Sequence, residues 1–523
     1  MHSSTHYSPL KNGDGASSDY SVIDRYAMRF KIVLDKDWSF REKKLFILKK
    51  FLEGSIYDNL SPFHVEFGGG GGGGEGGSYI KLCERRPSVI YNINKIIVDE
   101  SSTMLFGLDH FPTIRCGKDH ENTTQFLQYV TRKSKLRRVM LEAAKTGSVG
   151  SVCVIIKVLN KNFYFEVIET KNLKPTFDRM NPDKLLGLIE KRKVDGSTLR
   201  SHKYIIKDDD LNKFFYLVRE WNVNQEIYYV PYLCEDEKDN ESFEPQIDSE
   251  KSENHDFGFL PAIWIKNLPS SQNIDGACTF ESILDIGIEI DYQESQLGRL
   301  FKYNSDPTLV IKNPSTMQGS QLIKSLTVLN LDEKGDAYYA EMAGKACSEV
   351  MSYIDKLRQF ALEVARGNRT SPDKVTMAQS GKAIQMLNSA LIGLVNEMRI
   401  TYGDDGLLSI YQMILDISKS SGIEIDFGDV APDADCGSHL TLDWPDWYPK
   451  SSQEELQEQQ ALSGYINAGL LSKETALNVI ADEYNILDTN KELKLIEKQS
   501  NEDHNKQMSI KQAGNAGGKP DKV

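Results

Sequence analysis

The sequence predicts an α+β chain built from several domains, and three observations carry that prediction. Hydrophobic residues step by 4, 3, 4, 3 and 4 through Ala346, Val350, Tyr353, Leu357, Phe360 and Val364, which places them on one narrow seam of a helix. The run from Ser151 to Leu159 is rich in β-branched residues, and Asn160-Lys-Asn162 turns it into Phe163–Ile168, the pattern of a hairpin. At 523 residues and 40% hydrophobic content, the chain is too long for one core and supports two to four.

Further elements follow in order. Residues 1–22, rich in Ser, Gly, Asn and Asp, read as a disordered leader. Ser39 with Glu42 forms a capping box for a helix over 40–52, which Gly54 terminates. Gly68–Gly74, extended by Glu75, Gly76 and Gly77, has too much backbone entropy for regular structure and is expected to be a loop. Helices are expected over 87–106, ended by Gly107, and over 123–145, with strands near 203–206, 214–221 and 226–232. Residues 235–256 hold ten acids against Lys238 and Lys251, the composition of a solvated loop. A helix over 279–302 follows, then strand-like pieces at 308–312 and 327–331, Tyr338–Tyr339, and the seam helix. Beyond the loop 367–379, helical patterns cover 381–401 and 407–418. Trp444 and Trp447 with Pro445 and Pro449 mark a boundary. Ser451 with Glu454 caps another helix, Gly469 stops it, Ser472 starts the next, and the chain from about 500 is polar.

Composition narrows the function. The balance of 62 basic and 76 acidic residues, net −14, argues against a general nucleic-acid glue, though not against nucleic acid passing by. The seven cysteines are scattered and form no CxxC pair, so no disulfide framework or zinc site is expected and a reducing compartment fits best. Met1–Tyr20 lacks the apolar stretch of a secretory signal, and no run of about 18 apolar residues suits a membrane span.

Catalytic motifs are weak. Asp426-Phe-Gly428 echoes a kinase magnesium motif without a catalytic loop, and no phosphate-binding GxxxxGK[ST], GxSxG or HExxH occurs. Asp208-Asp-Asp210 is a candidate divalent-ion ligand or a solvated turn. His110 is a candidate base or a structural histidine. Arg132, Lys133, Lys135, Arg137 and Arg138 form a basic helical cluster, suited to solvent, a subunit surface or phosphate. No catalytic residue, cofactor or metal is expected.

Taken in order, the segments resemble the portal proteins of tailed bacteriophages, of the small-portal type found in long non-contractile-tailed phages. Arg86–Gly107 with His110-Phe-Pro112 looks like the family's wing helix, and Ala144–Ile168 like the wing strands after it. Asp306–Ile311 and Gly335–Tyr339 are similar to the way into and out of the clip. Leu357–Gln385, with Thr370-Ser-Pro372 and Ser380-Gly-Lys382, looks like the end of the second stem helix, the tunnel loop and the kinked helix beyond. Ala468–Ala476 resembles the C-terminal crown. The glycine run and the acidic stretch depart from the pattern, at positions of wing loops.

The resemblance implies a wing over 23–275, stem helices over 276–303 and 342–366, and a β-containing clip over 304–341. It further implies a tunnel loop over 367–379, a kinked helix and wing return over 380–445, crown helices over 446–499 and a disordered tail over 500–523. It implies a ring of about twelve subunits at one capsid vertex of the virion, assembled in the host bacterial cytoplasm, through whose channel double-stranded DNA is packaged and ejected. Partners implied are the terminase large subunit, head–tail connector proteins, and major capsid and scaffold proteins, with no membrane. Val350, Tyr353, Leu357, Phe360 and Val364 would form a stem packing seam. Glu281, Asp285 and Glu289, with Asp291 and Glu294, would make the channel wall acidic, and Asn368, Arg369 and Lys374 would touch DNA. Two alternatives from the residues stay open: a metal-dependent nucleic-acid-processing enzyme built on Asp208–Asp210, and a helical capsid scaffold protein.

Overall fold

Local signals set most of the helix ends. In the computed structural model, α1 (Val22–Arg29) starts at Ser21, whose hydroxyl accepts the Asp24 N–H. The capping box forms on α2 (Phe40–Glu53): Ser39 and Glu42 exchange hydrogen bonds, and Gly54 closes the helix in the left-handed region at φ 72°. Helix α3 (Ile93–Phe106) begins later than the hydrophobic pattern predicts, because the Asn92 side chain takes the Lys95 N–H and caps it there. After β1 (Thr113–Cys116), the single helix expected over 123–145 is two, α4 (Glu121–Lys133) and α5 (Leu136–Gly147), broken where Lys135 turns left-handed at φ 56°.

The structure describes residues 21–66, 68, 78–117, 120–239, 243–255, 257–270, 274–305, 308–312, 336–340, 345–367, 381–420, 424–428, 430–433, 439–448, 452–481, 489 and 491–499. The expected leader up to residue 20, nearly all of the glycine loop, the strand at 327–331, the tail from 500, and Asn368, Arg369 and Lys374 lie outside these residues.

The expected hairpin is β2 (Ser151–Leu159) with β3 (Asn162–Glu169), turned by Asn160 and Lys161, both at positive φ. Strands β4 (Leu173–Phe177) and β5 (Leu185–Asp195) follow, then α6 (Gly196–Ser201), capped by the Asp195 carboxylate. No strand forms at 203–206, where the Tyr204 N–H instead closes back on Leu199. Next come β6 (Phe214–Trp221), β7 (Gln225–Tyr228) and β8 (Tyr232–Leu233). The acidic stretch is not a free loop: it holds α7 (Cys234–Asp239) and β9 (Glu253–Asn254), which pairs with β7. Lys191 anchors it at Glu237 at 2.6 Å. Strand β10 (Ala262–Lys266) joins β2, so one sheet runs β10-β2-β3 and a second β4-β5-β6-β7-β9, with β8 on β6.

Helix α8 (Leu284–Ser305) leads to the antiparallel pair β11 (Thr308–Lys312) and β12 (Asp336–Ala340), and α9 (Lys345–Val364) returns. Then come α10 (Gly381–Leu387), α11 (Ser389–Met398), a π-helical turn over Arg399–Leu407, α12 (Leu408–Lys419) and β13 (Leu440–Asp443), which pairs with β1. Helices α13 (Ser452–Asn467) and α14 (Lys473–Ile480) complete the order, the second capped by Ser472.

The chain divides into two units. One comprises Met1–Ser371 with Leu387–Trp447, and the other Pro372–Met386 with Tyr448–Val523. The expected boundary at the paired tryptophans is where the first ends. Within it, Phe30, Ile47, Leu48, Ile97, Phe280, Ile283, Ile290 and Ala361 are among the buried residues that join α1, α2, α3, α8 and α9 in one core. Within the second, Ala476, Leu477 and Ala481 are buried.

Candidate assembly interface

Helices α8 and α9 pack on each other and on α3, and they carry most of the residues singled out in the sequence. Asp285 and Glu289 stand one turn apart on one side of α8, and Glu281 lies in the 3₁₀ turn Glu281–Ile283 that precedes it. Each has a local partner. Lys44 lies 2.8 Å from Glu281, the Tyr26 hydroxyl donates to Asp285 at 3.0 Å, and Gln293 donates to Glu289 at 2.8 Å.

Asp291 is a correction to the expected acidic wall. It is buried, accepting from the Tyr57 hydroxyl at 2.9 Å and the Tyr91 N–H at 2.7 Å. Burial pushes its carboxyl up to about 6, although those hydrogen bonds pull the other way. It belongs to the core rather than to a surface.

The seam on α9 divides. Leu357 is buried and Val350 packs against the core, together with Ile354, Ala361 and Ala365. Tyr353, Phe360 and Val364 are 46%, 50% and 53% exposed, so one flank of the seam faces away from the protomer. Three large apolar side chains at spacings of seven and four on a well-packed helix form a stripe, unlike a scattered exposed leucine.

At the C-terminal end of α9 the chain turns through Arg366, at φ 57°. Its guanidinium grips Glu397 of α11 with two hydrogen bonds, at 2.6 and 2.9 Å, and Arg366 in turn holds the Glu397 carboxyl below its ordinary value. This fixes the end of the helix at Arg366 and Gly367.

The remaining candidates do not gather. Asp208–Asp210 form a single 3₁₀ turn in which Arg200 pairs with Asp208 and Lys213 with Asp210. Among the described residues no group of three His, Cys, Asp or Glu side chains is placed to hold a metal ion. Asp426 of the kinase-like tripeptide accepts from Tyr129 and Lys133, a contact between loop and helix. In the basic cluster, Lys133 ends α4 and Arg137 and Arg138 begin α5, on either side of the Lys135 break. Cys116 is disulfide-bonded, which the scattered cysteines did not lead one to expect. Among the described residues no helix is long and apolar enough to cross a membrane.

Two further clusters are assembled from residues far apart in the chain. Arg219 pairs with Glu166 at 2.8 Å and Glu190 at 3.0 Å and stacks on Trp221. Burial raises the Glu166 carboxyl, but Arg219 and Lys157 outweigh it and hold it low. Glu166, Glu190 and Arg219 stand on three separate strands, so no local pattern in the sequence marks the cluster. The second cluster surrounds Arg399, against which Trp444 and Trp447 pack; the paired tryptophans marked the place but not the partner.

Comparison with known families matches residues 81–506 to the phage portal proteins of the SPP1 Gp6-like type. No match is found among curated proteins. The matched stretch spans β11–β12, both long helices, the sheets and the C-terminal helices, and the chain belongs to this phage portal protein family.

Proposed function

We propose that this phage portal protein assembles through α8 and α9 into a ring, of about twelve copies, around a channel for double-stranded DNA. The observation that carries the reading is the exposed stripe Tyr353, Phe360 and Val364 beside a buried flank on the same helix. A monomer gains nothing by presenting it, whereas a neighbouring copy of the α8–α9 pair would cover it.

In this reading 23–275 is the wing, the two long helices are the stem, 304–341 the clip, 367–379 the tunnel loop and 446–499 the crown. Glu281, Asp285 and Glu289 turn toward the channel. Because affinity for phosphates comes from cationic contacts, an acidic wall lets the duplex slide without adhering. Asn368, Arg369 and Lys374 of the tunnel loop touch the passing DNA. The clip receives the terminase large subunit during filling and head–tail connector proteins afterwards. The ring occupies one vertex of the virion capsid, in contact with major capsid and scaffold proteins, after assembly in the host cytoplasm. Its work is mechanical and structural, without chemistry on a substrate.

Negative-stain electron microscopy of the purified full chain, with particle mass measured in parallel, tests the ring. Open rings of about twelve copies are expected; a monodisperse monomer even with capsid and scaffold proteins added would overturn it. Changing Arg369 and Lys374 together to Ala tests the tunnel loop: rings are expected to persist while packaging or retention of DNA alters, and normal packaging would remove these residues from the channel.

A further inference from the structure

Arg399 opens the π-helical turn between α11 and α12, a local geometry that recurs at functional sites. Its guanidinium lies 3.4 Å from the ring centre of Trp447 and 4.5 Å from that of Trp444. His110 packs on Trp447, ring centres 6.5 Å apart. Phe106 backs Trp444 at 6.0 Å, and a Cβ on Gly403 would lie 2.7 Å from the Trp444 ring, so that indole is fixed in place.

The polar edge of this cluster is incomplete. Nε and Nη2 of Arg399 and Nδ1 of His110 are shut off from solvent and have no hydrogen-bond partner among the described residues. Burial pulls the guanidinium down to about 10, and among the described residues no neighbouring charge offsets it. Stacking on two indoles compensates part of the desolvation of a cation, but leaves its N–H groups unsatisfied.

We propose that Arg399, with Trp444, Trp447 and His110, forms a receptor for a single carboxylate. Nε–H and Nη2–H leave the guanidinium on one edge, the fork that a carboxylate accepts with both oxygens. A planar group in the guanidinium plane keeps both indole contacts, whereas a tetrahedral phosphate presses its extra oxygens against the rings. Burial, and then Arg399, hold His110 below its ordinary value, while Asp109 beside it pulls the other way. Because these atoms are shut off from solvent, a ligand reaches them only when one of the surrounding rings moves. The carboxylate comes from a free small acid or from an acidic side chain of another copy.

The test uses the full chain and two probes, sodium acetate and inorganic phosphate, at constant ionic strength. Arg399 is labelled with an arginine-selective dicarbonyl and scored by peptide mass, while tryptophan emission is followed. Acetate is expected to slow labelling at least threefold and to change the emission saturably, with phosphate far weaker. The variant Arg399→Lys, which keeps the charge and loses the fork, is expected to lose the emission change while unfolding at a similar temperature. If acetate acts equally on assembled and dispersed protein, the ligand is a small acid. If assembled protein labels slowly and ignores acetate, while dispersed protein responds to it, another copy supplies the carboxylate. Acetate without effect in both states, or phosphate competing as well as acetate, overturns the proposal. None of these outcomes bears on whether the ring forms.

Discussion

The Tyr57 hydroxyl donates to the Asp291 carboxylate at 2.9 Å, joining residues 234 positions apart and fixing the N-terminal helical layer to α8. The carboxyl is raised to about 6, above its unfolded value near 3.8. Between those values the folded protein holds a proton that the unfolded chain has released, so this group stabilises the fold increasingly as pH falls through that window. Relative to Asp291→Asn, the natural protein is expected to be more stable at pH 4.5 than at pH 7, by roughly 2 kcal/mol. Urea unfolding of both proteins at the two pH values measures this. A difference independent of pH would mean that Asp291 is charged throughout. Tyr57→Phe should cost about 1–2 kcal/mol at pH 7 by removing a hydrogen bond to that group.

The two flanks of α9 should respond oppositely to the same change. Phe360→Glu places a charge on the exposed stripe and is expected to leave protomer stability within about 0.5 kcal/mol while preventing assembly. Ala361→Glu, one position on, puts a carboxylate into the core and should cost more than about 3 kcal/mol. Thermal unfolding and particle mass separate the two. Rings formed by the Phe360 variant would move the subunit contact elsewhere.

Asn267 ties several elements together. Its amide donates to the Ala277 carbonyl at 2.8 Å and the Thr279 hydroxyl at 2.9 Å, and accepts from the Tyr402 hydroxyl at 3.1 Å. Its carbonyl accepts from Thr401 at 2.9 Å, and its N–H reaches Gly150. All lie inside the fold, so Asn267→Leu leaves several polar groups buried without partners and should cost about 3–5 kcal/mol. Tyr402→Phe removes one bond only and should cost about 1 kcal/mol. Gly276→Ala, whose Cβ would sit 2.6 Å from the Asn267 nitrogen, is expected to behave like Asn267→Leu. Denaturant midpoints of the three variants give the order.

What was legible in the sequence was local. Ser39, Glu42 and Gly54 act over a few residues, so their helix came out with its ends nearly right. The break at Lys135 was hidden because the apolar period continues through it while the backbone does not. On α9 the large residues Tyr353, Phe360 and Val364 drew the seam toward one flank. The side that packs inward relies on Ala361 and Ala365, whose small size permits close approach but weighs little in a hydrophobic pattern. Asp291 read as one more surface acid because its partners, Tyr57 and Tyr91, are some 200 residues away. Arg399 was invisible for the same reason: three chain segments must meet before its two indoles and His110 surround it.

The ion pair at the end of α9 has the opposite pH sign to Asp291. Arg366 holds the Glu397 carboxyl below its ordinary value, so the pair's contribution is present above the unfolded carboxylate value, near pH 4.3, and fades as pH falls below it. Both side chains are more than a third exposed, which limits Arg366→Ala to under about 1 kcal/mol at pH 7 and to almost nothing at pH 3. Its larger effect should be on position, since the bidentate contact ties the end of α9 to α11. Hydrogen exchange over 362–367 in the natural protein and in the variant reads this directly. Faster exchange there, with the rest of α9 unchanged, is the expected result; unchanged exchange would mean that the backbone turn at Arg366 and Gly367 holds the end of the helix without the ion pair.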